Sequence, residues 1–387
     1  MRTKFCSTFL GASLACLCLL LLTPLTSYAD GGAPNRAYIA GTTNGVSVID
    51  ITRQQMLSSF PAQGDPHEVL LSLDGRFLYV TQPQQGDLAL LSAATGATIC
   101  KAALPGQPTL LALDTNSSTL YVAGNGSSSV SAIDPGTCHL KRTLQTDGPV
   151  YGLALAASGT TNTGSSSDQI WVATTTHLEI FRESDAHKIS SIVAPGEPHY
   201  LSIPPGSAAY LTTRQGSVVA VGLTTHEITP LLAGGTYGPM DFDEQTGEIF
   251  VPDARHHQLD VLAPITPGFP PPKEPERTIA LASAPNSVAI TSDGQFGFIA
   301  MQGGFVAMLD IPGRQLVTTF HVGGNPQFII TGLNPPVIGT TPQQATLVSW
   351  FLPLAAYIFI GMLFIVPILV LRRRPTTARM KKEQKHG

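Results

Sequence analysis

The 387-residue sequence predicts an all-β fold: a seven-bladed β-propeller of four-stranded blades, its ring closed by a blade shared between the N- and C-terminal ends, plus one C-terminal transmembrane helix. Three observations predict it. An aromatic residue among apolar ones recurs seven times, a proline-led apolar strand recurs in phase with it, and a long charge-free stretch ends in three arginines. Self-similarity at a period near 40 residues marks a repeat fold, and four short, turn-punctuated strands per period make a propeller blade.

In chain order, residues 1–29 read as a signal peptide. Arg2 and Lys4 precede an apolar run from Phe9 to Leu22, and Ser27-Tyr28-Ala29 offers small residues where a signal peptidase reads, so cleavage is expected after Ala29. Cys16 and Cys18 lie inside the apolar run, which does not suit lipid attachment.

Residues 30–333 carry the repeat. Its aromatic strand appears as Ala37-Tyr38-Ile39, Leu78-Tyr79-Val80, Leu120-Tyr121-Val122, Ile170-Trp171-Val172, Ala209-Tyr210-Leu211, Ile249-Phe250-Val251 and Gly297-Phe298-Ile299. The spacings are 41, 42, 50, 39, 40 and 48 residues. Prolines 66, 108, 149, 198, 239, 285 and 326 open the strand before each aromatic one, as in Val69-Leu70-Leu71 after Pro66. Asp-Gly turns join the two strands at Asp74-Gly75 and Asp293-Gly294. Third strands such as Val46-Ser47-Val48-Ile49-Asp50 and fourth strands such as Leu316-Val317-Thr318-Thr319-Phe320 complete the blade.

The chain enters at a second strand, around Tyr38, and finishes with an additional proline strand, Pro326-Gln327-Phe328-Ile329-Ile330. These halves make one blade, which closes the ring and removes its exposed edges. Two insertions stretch the period and read as tolerated surface loops. Ala157 to Asp168 is rich in Ser, Thr and Gly, and Pro264 to Glu276 contains Pro270-Pro271-Pro272.

Past the ring, residues 334–346 form a Pro/Thr/Gln linker with a reach of at most ~45 Å, which keeps the propeller near a bilayer. Residues 347–371 carry no charge and are long enough to span it. Trp350 suits an interfacial anchor, and Arg372, Arg373 and Arg374 open a basic tail, 372–387, that the positive-inside rule places in the cytoplasm. The expected location is a cell membrane, single-pass, with the propeller extracytoplasmic.

Charge and cysteine content bound the partners. Of 22 Lys/Arg and 26 Asp/Glu, the tail holds seven and one and the signal peptide two and none, leaving 13 against 25 and a net charge of −12 outside. Such a surface repels phosphate backbones, so nucleic acid is not an expected partner. Cys100 and Cys138 stand near outer strands of neighbouring repeats. An oxidising compartment permits a disulfide, but their different registers and the divergence of outer strands favour two buried free thiols.

In a propeller the inner strands line the channel and their first residues rim one mouth. The residues after the prolines are Gln327, His67, Thr109, Val150, His199, Met240 and Asn286. Two joints share a local sequence, Gly64-Asp65-Pro66-His67 and Gly196-Glu197-Pro198-His199, three blades and about 154° apart. The candidate ligand site is therefore His67 and His199 facing one another, with Asp65 and Glu197 beside them and Gln327, Asn286 and Thr109 on the same rim. Each carboxylate is expected to raise its histidine's basicity and fix the tautomer. The alternative is a joint that uses Pro-His for its shape, with solvated rings. The gap is too wide for one small ion and suits an organic ligand or planar cofactor, of which none in particular is indicated.

Other groupings are weaker. His256-His257, with Asp253 and Arg255, reads as an exposed hairpin tip, and Asp241, Asp243 and Glu244 form an acidic cluster without a regular calcium loop. No Gly-x-Ser-x-Gly, Cys-x-x-Cys-His, His-Glu-x-x-His or phosphate-binding glycine loop occurs, and no catalytic or metal-ligating residue is assigned.

Leu78-Tyr79-Val80-Thr81, the Val-Ser-Val-Ile-Asp and Val-Ser-Ala-Ile-Asp strands and the Gly-x-Pro joints resemble the YVTN-repeat β-propeller proteins, the YncE-like group of exported propellers, over Arg36 to Gly332. The resemblance implies the fold; relatives include surface-layer proteins, lactonase-type hydrolases and the haem d1 domain of nitrite reductases. The reading is a membrane-tethered binding or scaffold module for a protein, glycan or small ligand. The competing reading is a channel-mouth enzyme, a lactonase-like hydrolase or cofactor-dependent oxidoreductase using His67 and His199.

Overall fold

The computed structural model describes residues 35–114, 116–125, 127–156, 168–265 and 270–332. The signal peptide, linker, transmembrane helix and basic tail lie outside the described residues, as do nearly all of the Ala157–Asp168 insertion and the middle of the proline-rich one. Among the described residues no helix is long and apolar enough to cross a membrane.

Seven four-stranded antiparallel sheets follow one another along the chain. Blade 1 runs, from axis to rim, Phe328–Gly332, Arg36–Thr42, Gly45–Asp50 and Gln55–Met56, so the last strand lies innermost against the first. Its register pairs Ala37 with Thr331 and Ile39 with Ile329. Blades 2 to 7 follow with inner strands Val69–Leu71, Gln107–Leu113, Gly152–Ala156, Pro198–Ser202, Asp241–Phe242 and Pro285–Ile290. The ring thus closes through the shared blade.

The repeated aromatics explain how the blades adhere. Side chains alternate across a strand, and the middle strands are covered on both faces, so both faces are apolar. Tyr38 and Ala40 pack towards blade 2, whereas Ala37 and Ile39 pack towards blade 7. The other six aromatics do the same, each entering the interface with the following blade. All seven are buried. Each contributes on the order of 2–3 kcal/mol of apolar burial, and a Trp171→Ala change would leave a void costing about 4 kcal/mol. Fourth strands such as Lys188–Val193 alternate inward and outward and form the solvated rim.

Cys100 and Cys138 are joined in a disulfide, which overturns the expectation of two free thiols. Cys100 lies in the fourth strand of blade 2, Thr98–Ala103. Cys138 is not in an outer strand. It sits in the turn before Leu140–Gln145 of blade 3, at a left-handed φ of 61°, and that turn brings it to the neighbouring blade despite the difference in register.

Candidate functional site

The two Pro-His joints have one backbone conformation. Gly64 and Asp65 have φ of 76° and 56°, and Gly196 and Glu197 have 82° and 59°. Two successive left-handed residues favour Gly at the first position. The reversal lets the Gly64 carbonyl accept the Gln84 N–H at 3.2 Å and the Gly196 carbonyl accept the Gln215 N–H at 3.2 Å. These bonds tie each joint to the turn between the second and third strands of its own blade. The Asp65 and Glu197 side chains are exposed.

The histidines point into different surroundings. The His67 ring lies 3.2 Å, through Nδ1, from the Thr109 carbonyl of blade 3. A carbonyl only accepts, so Nδ1 carries the hydrogen and Nε2 keeps a lone pair in the neutral ring. Burial lowers the His67 pKa below 6.5, opposed by the Thr109 bond and by Asp65. His199 stacks 3.9 Å from the Tyr200 ring, with Tyr151 edge-on at 6.3 Å. The Arg214 guanidinium covers Tyr151 at 4.1 Å. Burial, then the charges of Arg214 and His67, push His199 down to about 4. The expectation that Asp65 and Glu197 make the imidazoles more basic is corrected: at His67 desolvation outweighs Asp65, at His199 it is joined by the charges of Arg214 and His67, and the rings are free bases at neutral pH.

Below the mouth the channel holds two connected lobes of about 500 and 450 Å³. His67 and Thr109 line the first with Tyr200, Leu111 and Leu153, and Asp241, Val288 and Ile330 line the second. Glu68, Leu70, Pro239, Met240, Phe242 and Phe328 line both.

Two carboxyl groups face this channel, Glu68 buried and Asp241 half-buried. One Glu68 oxygen accepts the Leu111 N–H of blade 3 at 3.0 Å, and burial pushes its pKa well above 4.5. Asp241 accepts the Ile290 N–H of blade 7 at 2.7 Å, and burial pushes it to about 6. Each rivets an inner strand to the next. Tyr200 is raised by burial and by Glu68.

The remaining expected residues separate into roles. Asn286 donates through Nδ2 to the Pro326 carbonyl at 2.6 Å, bracing blade 7 against blade 1, and Thr109 contributes its backbone carbonyl. Gln327 donates its N–H to the Ala40 carbonyl at 3.0 Å and lines neither lobe. Val150 and Met240 are buried. The acidic cluster disperses: Asp241 enters the channel, Asp243 caps a turn through Gln245 N–H and Thr246, and Glu244 is exposed. Among the described residues no group of three His, Cys, Asp or Glu side chains is set to hold a metal ion. His256 is half-exposed, as a hairpin tip should be, but its Nδ1 lies 2.6 Å from the buried Asp253 carboxylate.

Sequence reasoning missed Glu68, Tyr151 and Tyr200 and read Asp241 only as part of an acidic cluster, although one signal would have brought them together. They occupy the second position after the blade proline, where Phe328, Glu68, Leu110, Tyr151, Tyr200, Asp241 and Ser287 stand around the ring. Arg214 comes from the turn between the second and third strands of blade 5, which the proline register does not mark.

No family model matches the chain, and no curated protein matches it either. Solved structures do. The periplasmic gluconolactonase PpgL of Pseudomonas aeruginosa is 16% identical at a TM-score of 0.61, over 78% of this chain and 99% of that one. A functionally unknown protein from Desulfotomaculum acetoxidans is 12% identical at 0.63, over 78% and 100%. The dihydro-haem d1 dehydrogenase NirN is 12% identical at 0.56, over 80% and 78%. The likeness is one of fold. At these identities it carries no activity to this chain.

Proposed function

We propose that this chain is a YVTN-repeat, YncE-like propeller, exported by residues 1–29 and tethered to the cell surface by residues 347–371, that binds a small organic ligand in its central channel. The observation that supports this best is the 500 Å³ lobe beneath His67, walled by leucines and offering an imidazole and a phenol as hydrogen-bonding groups. Ligand sites are commonly concave, mostly apolar and furnished with a few polar groups of this kind. At neutral pH both imidazoles are uncharged, so His67 in the lobe, and His199 at the mouth although it lines neither lobe, add no positive charge to the site.

A thermal-shift screen of the full chain in detergent micelles tests the reading. Compounds that raise Tm should lose their effect in a His67→Ala/His199→Ala double variant whose unliganded Tm stays within about 3 °C. Shifts that persist unchanged in that variant would place binding elsewhere.

A channel-mouth enzyme is the second reading, and one observation favours it. His67 with a free Nε2, together with Glu68 whose pKa burial raises well above the usual carboxylate range, sets a base and an acid on adjacent residues just before the inner strand of blade 2. The gluconolactonase and dehydrogenase among the structural neighbours make lactone hydrolysis and cofactor-dependent oxidation the reactions to assay first.

A further inference from the structure

The second lobe of the channel has a chemical bias that the mouth does not show. Its lining carries three carboxyl groups, Glu68, Asp241 and Glu244, and neither lobe is lined by a Lys or Arg among the described residues. Arg214, the cation nearest the mouth histidines, lies over the Tyr151 face and lines neither lobe. Apart from the hydroxyls of Ser292 and Thr331, the remaining lining is apolar or aromatic, with Leu70, Leu71, Val288, Phe242 and Phe328 among it. Buried acids normally acquire a basic partner, because an uncompensated carboxylate in an apolar setting is costly. Here, among the described residues, the polar partners of Glu68 and Asp241 are backbone N–H groups, of Leu111 for one Glu68 oxygen and of Ile290 and Phe242 for Asp241.

We infer that the ligand of the channel is an organic cation, a protonated amine on an apolar or aromatic body, whose ammonium group meets the Glu68 and Asp241 carboxyls while its body lies against Phe242, Phe328 and the leucines. The inference rests on the ligand-binding reading above and names its ligand class. An ammonium supplies the missing counter-charge, aromatic faces attract it further, and the apolar walls suit its body better than a hydrated metal ion. The exposed Glu244, lining the same lobe, adds negative potential there.

The inference carries a proton signature. Without a ligand, burial raises the Glu68 pKa well above the usual carboxylate range, and the groups around it (His67, Tyr200 and the Leu111 N–H) supply no cation. Asp241 faces Glu244 and the Ile290 N–H, and titrates near 6. A cation arriving beside Glu68 stabilises the carboxylate and so lowers its pKa, which couples binding to proton release.

Isothermal titration calorimetry of the full chain in micelles separates the outcomes, with 2-phenylethylamine as the cationic probe and 2-phenylethanol as its neutral counterpart. The amine should bind about tenfold or more tightly than the alcohol, and its heats in phosphate and Tris buffers should differ because binding releases protons. Glu68→Gln and Asp241→Asn keep an acceptor for Leu111 and Ile290, and each should weaken the amine about tenfold while leaving the alcohol unchanged. Equal binding of amine and alcohol would overturn the cation assignment and leave the channel site standing. Binding of neither probe would overturn both. Should either variant fail to fold, the amine-to-alcohol ratio in the unchanged chain decides.

Discussion

The joints Gly64-Asp65-Pro66-His67 and Gly196-Glu197-Pro198-His199 share their backbone and differ in what the adjoining blades bring to them. Blade 2 is fastened to blade 3 from axis to rim: His67 bonds the Thr109 carbonyl, Glu68 takes the Leu111 N–H, and Cys100 is bonded to Cys138. His199 instead meets aromatic rings, Tyr151 from blade 4 and its own neighbour Tyr200, under the charge of Arg214. Local sequence sets the turn, and the adjacent blade sets the chemistry of the side chain on it.

The largest expected effect falls on the fastened side. Reducing the disulfide, or replacing both cysteines by Ser, opens a loop spanning 38 residues in sequence and should cost about 4 kcal/mol in urea unfolding. An unchanged midpoint would show that the inner bonds alone hold blades 2 and 3 together. On the other side, a Cβ added at Gly152 would run into the His199 carbonyl oxygen, a backbone atom that cannot swing away. Gly152→Ala should therefore cost about 3 kcal/mol and disturb His199 before His67. Gly64→Ala meets the flexible Gln85 side chain most closely and the Gln85 backbone nitrogen at 3.3 Å, and with its left-handed φ it should cost about 1 kcal/mol.

Acidity sharpens the comparison further. The folded pKa of His199, about 4, lies below the 6.5 of an unfolded histidine, so the unfolded chain takes the proton first as pH falls. Stability linked to His199 is complete above about pH 6.5 and declines from there to pH 4. Asp241 has the opposite sign: raised from 3.8 to about 6, it favours the fold at acid pH and loses that contribution as pH rises through 6. Between pH 4 and 6 the two offset one another. His199→Ala should make stability fall more steeply with rising pH in that range, and Asp241→Asn should make it rise more steeply. Identical slopes in both variants would contradict the assignments.

The smallest effect is the most local. Arg214→Ala should raise the His199 titration from about 4 while leaving His67 in place, as followed by the histidine ring resonances. Equal movement of both rings would mean the two joints share one environment.

What the sequence reveals follows from what repeats. Seven aromatics and seven prolines mark blade interfaces and inner strands because every blade needs them for the same packing, and the half-blade at each end shows the closure. The rim residues were legible from the proline register alone. Glu68, Tyr151, Tyr200 and Asp241 share that register, two residues past each proline, but the side chains there differ from blade to blade, so the register marks the position and not its chemistry. Cys138 was misplaced because the sequence does not say how far its turn bends towards blade 2. The desolvation of His67 and His199 was likewise invisible, since it depends on neighbours that the fold supplies from other blades.

The central claim is that His67 and His199 serve a single site. A double-mutant cycle measures it: the affinity of one compound from the thermal-shift screen for the unchanged chain, His67→Ala, His199→Ala and the double variant. A shared site predicts that the two single losses depart from the double variant's loss by about 1 kcal/mol or more. Strictly additive losses, or affinity that neither change reduces, would contradict it.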